Sequence, residues 1–360
     1  MATGRPTIAD VAREAGVSPS TASVVFSGKA PVADATRRRV RAASDRLGYT
    51  GPDPRAASLR RGRSGVVGVV FEERLGAAFL DPVKTLMMDG LAEGVAPLGA
   101  GLLLLRDEVP ASTSEPAPPA EPALSLETAL VDAVVLVGAS GRLAASLEIL
   151  RARGIPVVVI EGDAGAGIPR IDLDNLDAQR QAAEHLRRLG HEHVAIVTLP
   201  WSGRRRRGLV AASREDDPSI DVTRERLRGA REVYPDATVF ETAASLIDEG
   251  WEAGAALLRA VNPPTAVIAQ SDLLAAGVIR AAEECGLRVP QDLSVTGFDG
   301  IALDGFAPYE LTTLAQPAAA KGRAAADAVV RMLSGEDAAS VRFSCAFRHG
   351  NTSGLRPRLD

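Results

Sequence analysis

From residue 66 onward, short apolar runs alternate with stretches of helical periodicity, and this alternation restricts the possible folds of the 360-residue chain more than its composition does. Strand-length apolar runs separated by helices are typical of βαβ units, in which parallel strands form a sheet covered by helices. The eight runs fit two Rossmann-like lobes better than one sheet. The predicted strands are Val66–Phe71, Gly101–Leu105, Ala133–Val137, Pro156–Ile160, Val194–Thr198, Thr238–Glu241, Ala266–Ala269 and Leu293–Gly297.

Helices are expected between these strands. Ligands of such folds bind in the crevice outside the carboxyl ends of the strands, so residues at strand ends are candidate site residues. The predicted helices include Asp81–Pro97, Asn175–Leu189, Ile247–Ala260, Ser271–Cys285 and Pro317–Leu333.

Charge is distributed unevenly along the chain. Residues 1–65 contain twelve Lys and Arg against five Asp and Glu, a formal charge of +7, whereas the remaining residues carry 29 basic and 41 acidic side chains, a formal charge of −12. A small basic segment on a large acidic body suggests a module that binds a polyanion. A solvated basic surface without a partner is the alternative.

Three short helices are predicted within the basic segment. The first, Ile8–Ala15, follows Thr7, a good N-cap, and ends at a glycine suited to a left-handed turn. The second has Ser18 as its N-cap and Pro19 at its first position. The third covers about Ala33–Leu47. Two short helices joined by a tight turn that contains glycine are the signature of a helix-turn-helix motif.

The second helix has the properties of a DNA-reading element. It is short and has small side chains, so it fits a major groove about 12 Å wide. The hydroxyl and backbone N–H groups at its start can bind phosphates and base edges, and the arginines attract the phosphate backbone. Helix pairs of this kind also occur in proteins that never contact DNA, but the basic charge favours the DNA-binding interpretation.

Four stretches of the basic segment carry a family resemblance, namely Ile8–Ser18, Ser20–Ser23, Thr36–Tyr49 and Gly51–Ser64. Together they resemble the headpiece of the lactose-repressor (LacI/GalR) family of bacterial transcription regulators. The resemblance implies that residues 51–64 form a hinge helix that inserts Leu59 into the minor groove, where apolar wedges kink DNA. A flexible linker is the alternative interpretation of this segment.

Three positions of the basic segment depart from the family pattern. Val24 stands where a guanine-reading arginine is usual, Ala33 replaces the serine that caps the third helix, with Asp34 as its substitute, and the hinge is one residue longer at Gly51–Pro52. These departures concern the operator sequence rather than DNA binding as such.

The resemblance also implies which residues contact DNA. The implied DNA-binding residues are Thr7, Ser18, Pro19, Ser20, Thr21, Ser23, Val24, Lys29, Arg55, Ala56 and Leu59.

The acidic body resembles the core of the same family, which is similar to periplasmic sugar-binding proteins and holds the effector between two lobes. The matching stretches include Gly286–Asp299 and Leu311–Pro317. Arginine forks and carboxylates suit the hydroxyl groups of sugars, and aromatic rings suit their apolar faces. The implied effector-binding residues are Phe71, Phe79, Glu161, Arg226, Ser271, Asp299 and Gln316.

Structural roles remain alternatives for several of these residues. Glu161 and Gln316 are equally compatible with a structural role, and the aromatic side chains, with Trp201 and Phe298 as further candidates, are more often core residues. Ser271 replaces an asparagine that some members of the family have. The identity of the effector therefore does not transfer with the resemblance.

Enzyme and metal sites have little support. The segment Gly162–Gly167 lacks the GxGxxG spacing, and the chain contains no GxxxxGK[ST] motif. His191 and His193 lack a third clustered ligand, so a structural role is preferred over a metal site. Four histidines and no Ser-His-Asp pattern leave no catalytic set, and we expect no cofactor.

Other features exclude further classes of protein. The longest apolar runs are strand-sized, far short of the roughly 18 residues of a membrane span. The N-terminus lacks the apolar core of a signal peptide, and Cys285 and Cys345 lie far apart, so a reducing cytoplasm fits. The stretches Pro110–Pro122 and Arg204–Arg207 are predicted to be solvated loops, with a DNA contact as the alternative for the second.

The sequence therefore predicts a small all-α helix-turn-helix headpiece at residues 1–50, a hinge helix or linker at 51–64, and an α/β two-lobed core like that of periplasmic binding proteins, with two Rossmann-like parallel sheets. The first lobe is expected at residues 65–163 and 316–335, and the second at 164–315 and 336–360.

The predicted function is that of a cytoplasmic transcription regulator, most simply a repressor. It would bind near-palindromic operator DNA as a homodimer, without a membrane partner, and respond to a sugar or sugar-like effector held between the lobes. A sugar-binding protein without a DNA role is one alternative, which the headpiece and the missing signal peptide oppose. An α/β enzyme is the other, which the missing catalytic set opposes.

Overall fold

The computed structural model describes residues 6–28, 30–51, 62–71, 75–106, 125–138, 143–162, 165–202, 206–211 and 218–357. The chain divides into two compact units, Met1–Gly65 and Val66–Asp360. The basic segment and the acidic body recognised from the sequence thus correspond to separate structural units.

The first unit contains three helices, α1 (Ile8–Ala15), α2 (Pro19–Ser27) and α3 (Asp34–Leu47). Their small apolar faces meet in one core. The predicted helices are confirmed, with boundaries that differ by one residue at most. The buried core residues are Val11, Ala12, Ala15, Ala22, Val40, Ala43 and Tyr49.

Capping fixes the starts of the first two helices. Thr7 Oγ1 accepts a hydrogen bond from the backbone N–H of Asp10, whose carboxylate accepts one from the N–H of Thr7, so the two residues form a capping box. Ser18 Oγ accepts from the N–H of Thr21, and Pro19 occupies the first helical position. Gly16, with φ of 65°, ends α1 in the left-handed conformation that permits the tight turn.

The start of α3 differs from the prediction. Ala33 precedes it and provides no side-chain cap. The carboxylate of Asp34, the expected substitute, instead pairs with Arg37 at 3.3 Å. Asp34 lies inside the first turn of the helix, where its negative charge stabilises the positive end of the helix dipole without capping a backbone N–H.

The first lobe of the second unit is built on a parallel sheet. Its elements are β1 (Val66–Phe71), α4 (Leu75–Ala78), α5 (Pro82–Val95), a 3₁₀ turn (Ala96–Leu98), β2 (Gly101–Arg106), β3 (Ala133–Val137), α6 (Leu143–Ala152), β4 (Val157–Ile160), β5 (Arg170–Leu173), α11 (Ala318–Leu333) and β12 (Val341–Phe343). The sheet has the strand order β12-β5-β4-β3-β1-β2, and all of its strands pair in parallel. Helices α5 and α11 cover one face and α6 the other.

The second lobe is built on a second, mostly parallel sheet. Its elements are α7 (Asn175–Arg188), β6 (Val194–Thr198), β7 (Gly208–Leu209), α8 (Asp221–Val233), β8 (Thr238–Glu241), α9 (Ile247–Leu258), β9 (Ala266–Ala269), α10 (Asp272–Glu284), β10 (Ser294–Asp299), β11 (Thr312–Ala315) and β13 (Ala346–Arg348). The sheet has the order β13-β11-β10-β9-β6-β8-β7 and is parallel except for its two edge strands, β13 and β7. Helices α7 and α8 cover one face, and α9 and α10 cover the other.

All eight predicted strands are present, but the predicted division of the lobes needs correction. Strands β5 and β12 pair with each other at the edge of the first sheet, whereas the prediction for residues 164–315 and 336–360 places both strands in the second lobe. Strand β13, also within 336–360, does belong to the second sheet. Both strands are short and polar, with the sequences RIDL and VRF, so their apolar content does not mark them as strands. Their place in the sheet depends on pairing between residues 170 positions apart in sequence.

The chain crosses between the two sheets three times. It leaves β5 for α7, leaves β11 for α11 and leaves β12 for β13. Asn175 follows the first crossing, Gln316 lies in the second and Cys345 lies in the third. The residues at these crossings therefore connect the two lobes directly.

Glycines allow the helix pairs to pack backbone against backbone. A Cβ at Gly322 of α11 would lie 2.0 Å from the carbonyl oxygen of Met87 in α5, and one at Gly277 of α10 would lie 2.0 Å from that of Ile247 in α9. A Cβ at Gly229 of α8 would meet the carbonyl oxygen of Leu176 in α7 at 2.2 Å. Each lobe thus depends on glycine at the contact between its paired helices.

We expect Gly322→Ala to lower the free energy of unfolding of the second unit by about 3 kcal/mol or more, because the added methyl group meets backbone atoms that cannot move aside independently. Chemical denaturation monitored by circular dichroism measures this. Gly101→Ala is the matched control, since a Cβ there meets nothing within 4 Å. Equal stability of the two variants would contradict the close helix contact.

Buried histidines have structural partners. The ring of His191 contacts Thr265 Oγ1 at 2.9 Å, Ser294 Oγ at 3.0 Å and the carbonyl oxygen of Gly354 at 3.1 Å. Among the described residues no group of three or more His, Cys, Asp or Glu side chains could hold a metal ion. The contacts of His191 support the structural interpretation given to it from the sequence.

His185 makes stability depend on pH. Its ring contacts Ser353 Oγ at 2.9 Å and packs beside Phe347 and His349. Burial, followed by the charges of His349, Arg188 and His191, lowers its pKa to about 4. Between pH 6.5 and 4 the unfolded chain therefore binds a proton that the folded chain does not, so stability is lost as the pH falls through this window.

Replacing His185 by glutamine should remove this contribution, which is at most about 3 kcal/mol for a shift of that size. The midpoint of thermal unfolding should then fall less in the variant than in the wild type when the pH is lowered from about 6.5 to about 4.5. Parallel pH profiles for the two proteins would show that His185 does not titrate as the structure indicates.

Of the loop predicted at Arg204–Arg207, the last residue has a defined partner. Arg207 forms an ion pair with the buried carboxylate of Glu249 and also lies 3.5 Å from Glu252. This pairing holds the Arg207 guanidinium against α9.

Among the helices of the described residues, none combines the length and the apolar character that a membrane span requires.

Candidate functional site

Arg226 lies in the first half of α8, and its side chain is almost completely buried. Its Nε donates a hydrogen bond to Asn175 Oδ1 at 2.8 Å, and its Nη1 donates to the carbonyl oxygen of Gln270 at 2.6 Å. The guanidinium carbon lies 3.5 Å from the centroid of the Phe298 ring. This stacking and hydrogen bonding hold the guanidinium plane in one orientation.

Asp299 ends β10 and faces Arg226, with 3.7 Å between Asp299 Oδ1 and Arg226 Nη1. Gln316 Nε2 donates to the same carboxylate oxygen at 2.7 Å. The backbone of Asp299 has a φ of 119°, a region that side chains other than glycine rarely adopt. Such strain is typical of residues held for a function rather than for packing.

Burial raises the pKa of Asp299 well above its usual range, although Arg226 opposes the shift. The carboxyl group of Asp272 nearby adds to the increase. The oxygens of this carboxyl group can accept hydrogen bonds from ligand hydroxyl groups.

Glu161 follows β4 at the carboxyl edge of the first sheet and also has a positive φ, of 54°. Its Oε2 accepts a hydrogen bond from Lys321 Nζ at 2.9 Å, and its Oε1 accepts from Asn175 Nδ2 at 3.4 Å. Burial acts to raise the pKa of Glu161, but the charges of Lys321 and Arg226 outweigh it and lower the pKa. Glu161 is therefore a carboxylate at neutral pH.

These side chains form a closed ring of polar contacts that we call the interlobe ring. Lys321 contacts Glu161, Glu161 contacts Asn175, and Asn175 contacts Arg226. Arg226 pairs with Asp299, Asp299 contacts Gln316, and Gln316 contacts Lys321. The first lobe contributes two members of the ring, Lys321 and Glu161, and the second lobe contributes three, Asn175, Arg226 and Asp299. The sixth member, Gln316, lies at a crossing. The ring therefore connects both lobes at the carboxyl ends of their strands.

Asp272 lies beside the ring at the start of α10. Its carboxylate accepts a hydrogen bond from Thr313 Oγ1 at 2.6 Å and one from the N–H of Ile301 at 2.9 Å. Burial raises its pKa to about 6, against the opposing effect of these hydrogen bonds. The turn after β10, which positions Asp299, is thus held by a carboxyl group at the start of the neighbouring helix.

The structure brings together four of the predicted effector-binding residues, namely Glu161, Arg226, Asp299 and Gln316. Ser271 lies at the start of α10, where its hydroxyl caps the helix at Leu274 and accepts a hydrogen bond from Ser245, and it is buried.

The two predicted aromatic contacts differ in exposure. Phe71, the last residue of β1, is buried in the core of the first lobe. Phe79 follows α4 and is 55% exposed. Of the further candidate aromatic faces, Trp201 is buried in the core of the second lobe, and the ring of Phe298 is covered by Arg226.

Hydroxyl groups cluster at the exposed start of α2 in the headpiece. Ser18 Oγ lies 2.8 Å from both Ser20 Oγ and Thr21 Oγ1, and Ser18, Pro19 and Ser20 are exposed. Ser23 and Val24 follow on the same helix and are partly exposed. Exposed hydroxyls at a helix N-terminus are suited to phosphate and base contacts.

Basic side chains lie on α3 of the same unit. Arg37 pairs with Asp34, whereas Arg38, Arg39 and Arg41 are exposed and have no ion pair among the described residues. These free guanidinium groups suit a phosphate backbone. The predicted DNA contacts at Lys29, Arg55, Ala56 and Leu59 lie outside the described residues.

Comparisons with known proteins agree with both units. Residues 7–51 match the family of bacterial regulatory proteins, lacI family, and residues 183–345 match the periplasmic binding protein-like domain. The chain is 34% identical over 337 residues to the HTH-type transcriptional regulator Rv3575c of Mycobacterium tuberculosis, and the match covers 91% of each protein. The chain belongs to the LacI family.

Solved structures of LacI-family regulators share the fold over nearly the whole chain. A lac repressor dimer bound to operator and the anti-inducer ONPF matches with a TM-score of 0.75 at 22% identity, over 98% of this chain and 100% of that one. The transcriptional regulator CelR in complex with cellobiose matches with a TM-score of 0.64 at 24% identity, over 97% and 100%. The predicted fold is confirmed, and the chain is a DNA-binding transcription regulator rather than an enzyme.

Two members of the interlobe ring of this LacI-family chain were not predicted from the sequence as site residues. Asn175 was predicted only as the start of a helix, and Lys321 only as part of a helix of the first lobe. No local signal distinguishes Lys321, because Arg323 lies in the same run of alanine and glycine and is exposed. Asn175 follows β5 at the end of a strand, where ligands of α/β folds bind, but the sequence of β5 does not mark it as a strand.

Proposed function

We propose that this LacI-family chain is a repressor whose operator affinity is controlled by a sugar or sugar-like effector bound at the interlobe ring. The ring is the observation that carries the proposal. It offers an arginine fork, two carboxyl groups, two side-chain amides and an ammonium group within one cluster of buried polar contacts. Neighbouring hydroxyl groups of a polyol require this mixture of donors and acceptors.

The comparisons support this ligand class without identifying the effector. One structural neighbour is a CelR–cellobiose complex, and another is a LacI-family regulator from Enterococcus faecium with bound ribose. Both ligands are carbohydrates, which present adjacent hydroxyls. We propose a molecule of this class for the present chain.

We further propose that two chains bind a near-palindromic operator as a symmetric dimer. One short headpiece reads few base pairs, and a two-fold related pair reads two half-sites. The free guanidinium groups of α3 and the hydroxyls of α2 would contact the backbone and base edges. Leu59, Arg55, Ala56 and Lys29 remain predicted DNA contacts from the family resemblance.

Effector binding would act through the angle between the lobes. The ring includes residues of both lobes and one of the crossings that connect them, so a ligand that joins the ring stabilises one arrangement of the lobes over another. In a dimer, that arrangement would determine how the two segments at residues 51–64 pack on DNA.

Fluorescence anisotropy with DNA from the region upstream of the gene tests the proposal. Binding should be specific, and at least one carbohydrate of a panel should change the affinity for that DNA. If the chain binds the DNA but no carbohydrate alters its affinity, the proposed effector class is wrong.

Val24 should determine one base preference within the operator. An apolar side chain at this position of α2 can contact a thymine methyl group but cannot form the bidentate hydrogen bonds that select guanine. We expect Val24→Arg to move the preference toward guanine at one symmetric pair, worth about 1–3 kcal/mol of discrimination. Selection from a randomised operator library measures this, and an unchanged preference would show that α2 docks differently. Ser27→Arg, on an exposed position near the end of α2, is the control for added positive charge alone.

A further inference from the structure

Lys321 is unusual because its side chain is completely buried. A buried ammonium group is expensive to desolvate and is retained only where nearby acceptors and opposite charge stabilise it. Here Glu161 Oε2 lies 2.9 Å from Lys321 Nζ, and Gln316 Oε1 also accepts from it. The ammonium has three N–H groups, so one remains without an acceptor among the described residues.

The charges of Lys321 and Glu161 balance each other within the interlobe ring. Lys321 Nζ lies 2.9 Å from Glu161 Oε2, and Glu161 is a carboxylate at neutral pH. A charge that a ligand brings to this pair, whether negative or positive, would therefore find no unpaired partner in it.

We propose that Lys321 is a specificity-determining residue that restricts the effector site to uncharged polyhydroxylated ligands. This inference rests on the proposed function, because it concerns the ligand class of the same ring. Lys321 neutralises Glu161, so an amino sugar gains no free carboxylate to pair with. In turn Glu161 neutralises Lys321, so a uronic acid gains no free cation.

The Lys321–Glu161 pair discriminates against charged ligands but leaves hydrogen-bonding groups available to the hydroxyl groups of a ligand. Among the described residues, one N–H of Lys321 has no acceptor, and Glu161 Oε1 has only the long contact with Asn175. This N–H can donate a hydrogen bond to a ligand hydroxyl, and Glu161 Oε1 can accept one. The left-handed backbone of Glu161 keeps the carboxylate at this edge of the first sheet. An uncharged ligand therefore meets donors and acceptors at the Lys321–Glu161 pair but no unpaired charge there.

The test uses matched sets of ligands that share one ring and differ in one charge. Suitable sets are glucose, glucosamine and glucuronate, with the corresponding forms of galactose and mannose. Calorimetric titration of the full chain measures the affinity for each ligand. Within the set whose uncharged sugar binds, that sugar should bind at least about tenfold more tightly than the amino sugar or the uronic acid of the same set. Tighter binding of a charged form by the wild type would overturn the inference.

Single variants should then change the preference in opposite directions. Lys321→Met leaves Glu161 without its ammonium partner, and the amino sugar should gain about tenfold or more relative to the uncharged sugar. Glu161→Gln leaves Lys321 without its carboxylate, and the uronic acid should gain similarly. Arg331→Met, which removes an exposed cation from the same helix, is the control and should keep the wild-type preference.

The double variant Lys321→Met/Glu161→Gln is the second control, since replacing both partners of a buried pair by uncharged groups is better tolerated than removing one. It has no unpaired charge at this position, so it should again prefer the uncharged sugar. If the wild type binds an uncharged sugar and the two single variants keep its preference, the role of Lys321 is wrong while the proposed function stands. A wild-type chain that binds no member of any set overturns the carbohydrate proposal and this inference with it.

Discussion

Asp299→Asn should abolish the response of operator binding to the effector while leaving operator affinity without effector nearly unchanged. The carboxyl group of Asp299 is the only acidic group that contacts both Arg226 and Gln316 among the described residues. An asparagine keeps the size of the side chain but presents one acceptor oxygen instead of two. A ligand hydroxyl that had paired with the carboxyl group would lose that partner, which costs about 1–3 kcal/mol or more where a charge is involved.

The measurement is operator binding by fluorescence anisotropy, with and without the effector that acts on the wild type. Asp304→Asn, in the exposed turn after β10, serves as the control, because it makes the same chemical change outside the interlobe ring. If Asp299→Asn binds the effector as tightly as the wild type does, the assignment of Asp299 to the effector site is wrong.

Removing residues 1–65 should eliminate operator binding, with a loss of affinity of several orders of magnitude. The formal charge of +7 lies within this compact unit, whereas the rest of the chain carries −12. Binding by the intact chain should fall steeply with salt, because each phosphate contact releases counterions. Anisotropy titrations at several salt concentrations measure the slope for both proteins.

The truncated chain should keep effector binding, since all members of the interlobe ring belong to the second unit. Effector titration of the truncated chain is therefore the control for its folding. A fragment that begins at Val66 and still binds the operator specifically would place DNA recognition in the acidic body and contradict the proposal.

The periodicity of the sequence was sufficient to predict the central strands but not the edges of the sheets. Strand β3, with the sequence AVVLV, is buried at every position, and burial on both faces is visible as an unbroken apolar run. Strand β12 has the sequence VRF and is exposed for most of its length, so nothing local marks it. Its position depends on pairing with β5, and pairing over that distance in sequence cannot be inferred from either segment alone.

The candidate effector site was predicted in part, through the family resemblance. Arg226 and Asp299 were assigned from the resemblance, and the structure places them 3.7 Å apart. The buried contact between Lys321 and Glu161 could not be predicted, because it joins residues 160 positions apart on elements whose packing depends on the glycine contacts between α5 and α11. Phe71 was interpreted as a candidate contact, but its apolar character indicates burial as readily as binding, and the structure places it in the core.

Coupling between the effector and the operator is the central claim, and calorimetric titration of the effector with and without operator DNA tests it most directly. Because linkage is reciprocal, the operator must change effector affinity by the same factor by which the effector changes operator affinity, commonly about 5–150-fold. We expect the two factors to agree for the wild type and both to approach one for Asp299→Asn. An effector affinity that is identical in the presence and absence of operator would contradict control of DNA binding by a ligand at the interlobe ring.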